Sequence, residues 1–265
     1  MHPIVRKYLA DRGTHLAAMI AYFAILAFVP LLFLALSLLA LLGEQDESSY
    51  LIEELQRAFP KNSVENILDA VTEIQEQAPE LSVIGGIGLI WAALGFFSVL
   101  ESAFNIVYGL PNRPFIRQKT LVLLLTAASL IVLFVALVTS SLGVELANRS
   151  GVAEGTLSYV YALLVSTALL IGMTWSLYRL LTNMPLTWRE TLPGALVASV
   201  LLQASFQILP TFVRLSNELI ALQAYGGLVL LLVWLYVMAN ILVLGAEVNW
   251  WLSRGRTDPT GGVSV

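Results

Sequence analysis

The chain has no cysteine, and its only histidines are His2 and His15. No disulfide, thiol nucleophile or cysteine metal site can form, and the redox compartment is left open. Charge is scarce. Asp, Glu, Lys and Arg make up 12% of the residues, about half the share of a soluble domain. A net charge of −4 and a pI near 5.2 argue against a nucleic-acid partner, which needs a clustered basic surface. No Gly-rich phosphate loop precedes a lysine, and no His, Asp and Glu residues have metal-ligand spacing. The serines within apolar stretches have no histidine or lysine base beside them in sequence. The expectation is therefore a protein with no cofactor, no metal and no enzymatic activity.

What is present is hydrophobic: 58% of residues, with a mean hydropathy of +0.81. These residues fall into six runs, Leu16–Gly43, Leu81–Tyr108, Thr120–Gly143, Leu157–Leu181, Thr191–Val213 and Tyr225–Leu252. Each exceeds the roughly 20 residues that a helix needs to cross a bilayer about 30 Å thick. Backbone groups in lipid must satisfy one another, so the runs predict an all-α fold, a polytopic six-transmembrane helical bundle. Residues 1–252 form one membrane domain on this reading. Residues 253–265, with Gly255, Pro259, Gly261 and Gly262, read as a disordered tail. Leu16 opens a run too long for the core of a cleaved signal peptide.

Most of the 14 basic residues lie in the N-terminal tail, the second and fourth loops and the C-terminal tail. By the positive-inside rule both termini are cytoplasmic, with Trp188, Trp250 and Trp251 at that interface. The long first loop, Glu44–Glu80, is acid-rich and lies on the outer face. It reads as an amphipathic helical hairpin between spans 1 and 2, broken at Pro60, with Asn62 and Glu65 as a capping box. It is either a docking hairpin or packing on its own bundle.

Two acids fall inside spans, Glu101 and Glu247. At about 1.5 Å per residue each lies roughly 30 Å from the start of its span, near the cytoplasmic boundary. There they can meet each other, or Arg12 and Arg179 as ion-pair partners. A charge facing lipid at mid-bilayer costs about 2.5–3.5 kcal/mol, so both should face inward. Ser98, Glu101 and Asn105 share one helical face, Tyr236, Asn240 and Glu247 a second, and Gln203 and Gln207 a third. These stripes line a polar cavity or make interhelical hydrogen bonds, the latter typically about 0.6 kcal/mol each. Gly85, Gly88, Ala92 and Gly95 give the second span a small-residue face, which predicts that it sits centrally. Pro30 and Pro210 remove backbone donors within spans and predict kinks.

The segments Ala21-Tyr22-Phe23, Phe28-Val29-Pro30-Leu31-Leu32, Ala103-Phe104-Asn105-Ile106-Val107-Tyr108, Trp188-Arg189-Glu190, Pro193-Gly194-Ala195, Trp234-Leu235-Tyr236 and Leu244-Gly245-Ala246-Glu247-Val248-Asn249 together carry a resemblance. The chain resembles the YihY/BrkB-type proteins, once labelled ribonuclease BN, over nearly all of Arg6–Leu252. Ala27 stands where many such relatives have a small hydroxyl residue. The resemblance implies a bacterial inner-membrane protein with six spans and supplies no catalytic site.

The leading expectation is a transporter or flippase-like protein for an amphiphilic or anionic envelope substrate. Glu101 and Glu247 would then be gating or proton-coupling carboxylates, with Ser98, Asn105, Gln203, Gln207, Tyr236 and Asn240 lining the path. The rival is an envelope scaffold that binds a partner through its outer hairpin. A membrane-tethered ribonuclease ranks last, because no basic track or metal-site pattern supports it.

Overall fold

The computed structural model describes residues 2–41, 78–128, 156–217 and 220–257, and every regular element among them is an α-helix. The helices are α1 (Pro3–Ala10), α2 (Gly13–Leu41), α3 (Ala78–Tyr108), α4 (residues 115–128), α5 (Thr156–Leu181), α6 (Trp188–Asn217) and α7 (Ile220–Thr257). Wherever the six expected runs are described, they are helical. Among the described residues three segments are long and apolar enough to cross a bilayer: Ile90–Tyr108, Trp188–Leu209 and Val229–Ser253. The expected outer hairpin lies outside the described residues, apart from its last three, which open α3.

The ends of the elements follow local chemistry. Pro3 occupies the first turn of α1, where its missing N–H costs nothing, and the His2 side chain accepts from the Ile4 N–H at 3.4 Å. This helix was not anticipated: the N-terminal segment had been read only as a basic tail. Gly109 ends α3 at φ +66°. The Leu110 N–H reaches back to the Asn105 carbonyl at 2.8 Å, closing a Schellman-type cap at a left-handed position that glycine takes without steric cost. Thr187 and Glu190 start α6 as a capping box, with the Thr187 N–H donating to Glu190 Oε2 at 2.7 Å. At the other end of the chain α7 runs to Thr257, so the expected tail is helical over its first residues. α2 runs through Pro30 and α6 through Pro210.

The starts of α2, α4 and α6 and the ends of α3, α5 and α7 gather at one polar end of the bundle. His2 and Trp251, from opposite ends of the chain, meet there with ring centroids 5.8 Å apart. The core includes Ile20, Leu100, Phe104, Tyr178, Leu181 and Val243, all but inaccessible. The outward faces are apolar: Trp91, Leu124, Leu164 and Val200 are each more than half exposed. In water such a surface would drive association, whereas in a bilayer it faces acyl chains.

α3, whose small-residue face predicts a central place, packs against α2, α5 and α7, and α7 is as widely contacted. α7 packs against α1, α2, α3 and α6, most extensively against α6. Its closest approach is Gly245 against Gly194 of α6. A Cβ on either glycine would overlap the other's carbonyl oxygen or, at Gly245, the Tyr178 hydroxyl. On α3, Gly95 admits the Phe23 ring of α2, while nothing lies within 4 Å of a Cβ placed on Gly88.

Candidate functional site

Glu101 is completely buried on α3. Its partner is Arg113, from the loop that follows the Gly109 cap, with Nη1 at 3.1 Å from Oε1. The same guanidinium donates to the carbonyls of Leu181 (2.8 Å), Leu180 (3.0 Å) and Thr182 (2.9 Å). It therefore neutralises a buried acid and caps the C-terminus of α5, where unpaired carbonyls gather partial negative charge. Asn105, one turn on and also fully buried, accepts from the Asn183 N–H at 2.7 Å and donates to Asn112 at 3.1 Å. Ser98 donates to the Leu94 carbonyl and accepts from Lys119 Nζ at 3.2 Å.

Glu247 is equally buried on α7. Lys7 of α1 approaches its Oε2 at 3.2 Å, donates to the Val107 carbonyl of α3 at 2.7 Å, pairs with Asp11 and lies 4.1 Å from the Trp250 ring centroid. Lys7 thus repeats the pattern of Arg113, joining a buried acid to an open carbonyl at a helix C-terminus. Neither oxygen of Glu247 receives a well-aligned hydrogen bond, and among the described residues its one cation, Lys7, is shared with Asp11. Beside it the Tyr8 hydroxyl donates to Asn240 Oδ1, and Asn240 donates to the Tyr236 carbonyl at 2.6 Å. Burial, then the nearby Tyr236 and Glu247, hold the Tyr8 phenol above its usual pKa, so it remains a donor at neutral pH.

The expected cation partners are thus replaced. Arg12 takes a left-handed conformation (φ 55°) at the α1–α2 junction and is exposed. Arg179 stacks over the Trp188 ring at 3.9 Å from the centroid. The residues that hold the acids are Lys7 and Arg113, both counted in the sequence only as markers of topology.

Each polar stripe finds a different neighbour. The stripe of α3 meets the loop after it and α4, and that of α7 meets α1. On α6, Gln203 accepts from Ser166 of α5 at 3.5 Å, while Gln207 lies on an exposed face. Between α5, α6 and α7 run further buried links that the sequence did not signal: Thr174 with Ser199 (2.9 Å), the Tyr178 hydroxyl to the Leu242 carbonyl (2.9 Å) and the Gly194 N–H to Asn249 Oδ1 (2.6 Å).

A cleft of about 800 Å³ opens at the same polar end, between the α3–α4 loop and the α5–α6 loop. Arg113, Arg117, Arg179, Asn183 and Trp188 contribute to its walls, which neither Glu101 nor Glu247 reaches.

The family model described as "Virulence factor BrkB" matches residues 4–262. The Bacillus subtilis (strain 168) protein YfkH, named as ribonuclease-like, is 26% identical, with the match covering 96% of this chain and 94% of YfkH. The UPF0761 membrane protein Rru_A2625 of Rhodospirillum rubrum is 29% identical over 96% of this chain. A UPF0761 membrane protein of Janthinobacterium sp. (strain Marseille) is 24% identical over 94% of it. The chain spans only 60% and 58% of the length of these last two relatives. No solved structure matches.

Proposed function

The chain is an integral membrane protein belonging to the virulence factor BrkB family, and from that premise we propose that it is a six-span transporter or flippase-like protein for an amphiphilic or anionic envelope substrate, set in a bacterial inner membrane with both termini cytoplasmic. The observation that carries this reading is the repeated arrangement at the polar end. Two wholly buried carboxylates, Glu101 and Glu247, are each held by one cation from a segment outside the described spans. Desolvating such a pair costs about as much as its attraction returns, so it contributes little net stability. Losing one partner is expensive, which makes the pair a two-position device. Protonation of the acid, or a competing anion at the cation, releases α1 from α7, or the α3–α4 loop from α3 and α5. Asn105, Ser98, Asn240 and Tyr236 surround these two latches, and Gln203 and Gln207 extend along α6.

The ribonuclease-like name belongs to the Bacillus relative. For this chain we propose no nuclease activity. Its two buried acids are each tied to a cation, and no three His, Asp or Glu side chains cluster among the described residues.

The test is flux of a fluorescent anionic amphiphile in proteoliposomes. Glu101→Gln with Glu247→Gln should stop it when flux is normalised to folded, reconstituted protein, and normal flux in that double variant would rule the coupling role out. Tags at the two ends should both be inaccessible from outside intact spheroplasts. Metal-dependent RNA cleavage by the purified protein would overturn the non-enzymatic reading.

A further inference from the structure

The cleft at the polar end carries an unbalanced positive charge. Arg113, Arg117 and Arg179 contribute to its walls, and among the described residues no acidic one does. The charge on Arg113 is neutralised by Glu101, and its nitrogens are occupied by three carbonyls. Arg117 is exposed on the first turn of α4, and among the described residues no carboxylate pairs with it.

Arg179 is more telling. Its guanidinium lies over the Trp188 ring, 3.9 Å from the centroid, and its Nη1 is buried with no hydrogen-bond acceptor among the described residues. Trp188 is itself fixed, because Trp175 Nε1 donates to the Trp188 carbonyl at 2.8 Å and the two rings meet edge to face at 4.6 Å. An indole face holds a guanidinium in place but accepts none of its in-plane hydrogen bonds, and a buried donor left unmade is costly. Arg179 lines the cleft with at least one unmade donor, and a guanidinium fits two phosphate oxygens at once.

The other walls are apolar: Leu121, Leu180, Met184 and Leu186, with Leu180 and Met184 exposed. Phe115 and Ile116 stand out beside them at 72% and 80% exposure. Basic pockets bounded by apolar and interfacial aromatic side chains suit phosphorylated lipid head groups.

We propose that this cleft binds the phosphate ester of an amphiphile, with Arg179 as its anchor, Arg117 as a second contact and Trp188 as the positioning residue for Arg179. The site shares its Arg113 wall with the Glu101 latch but binds through Arg179 and Arg117, and it stands whether or not the protein transports anything.

The test is calorimetric binding to the full chain in a neutral detergent, with three probes: dioctanoyl phosphatidic acid, dioctanoylglycerol and inorganic phosphate. Phosphatidic acid should saturate one site, and dioctanoylglycerol should not bind. Arg179→Gln should weaken binding by about tenfold or more, the loss of one charge-assisted hydrogen bond. The same change should leave the unfolding midpoint of the unliganded protein unchanged or raised, since it removes an unpaired buried donor. Arg117→Gln, at an exposed position where folding is not at stake, should weaken binding several-fold. Equal affinity in wild type and both variants would overturn the site, as would equal binding of dioctanoylglycerol. Inorganic phosphate binding as tightly as phosphatidic acid would overturn the amphiphile and leave a soluble phosphate as ligand.

Discussion

Replacing Arg113 with glutamine removes the one cation that balances Glu101. Glu101 has no accessible surface, and the Arg113 side chain is only 14% exposed, so water cannot take the place of the lost charge without local opening. Removing one partner of a buried pair costs about 3–5 kcal/mol. The three carbonyls at the end of α5 also lose their donor, but the bond to Leu180 is at an exposed position, where solvent substitutes. The stranded carboxylate therefore dominates. A chain of this size loses roughly 2–4 °C of midpoint per kcal/mol on soluble-protein scales, so Arg113→Gln should lower unfolding in detergent by roughly 6–20 °C. Glu101→Gln in the same background removes the stranded charge and should restore part of that loss. A double-mutant cycle should return a coupling of about 2–3 kcal/mol. A midpoint for Arg113→Gln within about 2 °C of wild type would refute this reasoning, as would a double variant that merely adds the two single losses.

Lys7→Met should strand Glu247 in the same way, at about 3–5 kcal/mol, and should speed amide exchange across α1; unchanged exchange at Tyr8 and Leu9 would contradict the α1–α7 latch. Gly245→Val places a side chain against Gly194 and Tyr178 and should cost about 1–3 kcal/mol or more, read as a lower unfolding midpoint or loss of folded yield. Tyr8→Phe should cost about 0.5–1.5 kcal/mol, a typical net hydrogen bond. Because the folded pKa of Tyr8 is raised, the unfolded phenol ionises first; stability from this group is complete below pH about 10 and declines above it, and Tyr8→Phe should flatten that alkaline decline.

Run length alone made the helices legible, since a long apolar segment has few other stable forms in lipid. The end of α3 was legible too, because Gly109 follows Tyr108 and Pro111 follows soon after. Glu101 and Glu247 stood out as the charges inside apolar runs. Their partners did not. Depth along a helix was the only criterion available, and it favoured Arg12 and Arg179. Depth says nothing of azimuth or of turn geometry. Arg12 is turned outward by its left-handed backbone, whereas Lys7 sits on a helix too short and too polar to register as part of a bundle. Its one signal was Pro3 after His2, a helix start that periodicity alone does not reveal. Arg113 is close to Glu101 because the Schellman turn folds the chain back, and that geometry appears only once Gly109 has taken its positive φ. The small-residue face of α3 was informative only in part. Glycine spacing shows where a helix can be approached, but not which neighbour approaches, and the tightest contact formed between lone glycines on α6 and α7.

The distribution of contacts separates what can move from what cannot. α5, α6 and α7 are joined by glycine backbones in contact and by three buried hydrogen-bonded links, Thr174–Ser199, Tyr178–Leu242 and Asn249–Gly194. Sliding any of these helices past another would open several such bonds in a low-dielectric interior at once, and packed interfaces of this kind rearrange in whole steps rather than by gradual deformation. α1 and the α3–α4 loop are held differently. Each sets one cation on a buried acid at the bundle's polar end, beside further contacts such as Tyr8–Asn240 for α1 and Asn105–Asn112 for the loop. On the transporter reading proposed above, a change that leaves the bundle folded would open the Lys7 and Arg113 contacts while α5, α6 and α7 stay together. A crosslink between α1 and α7, close to Lys7 and Glu247, is the place where a working cycle should stop.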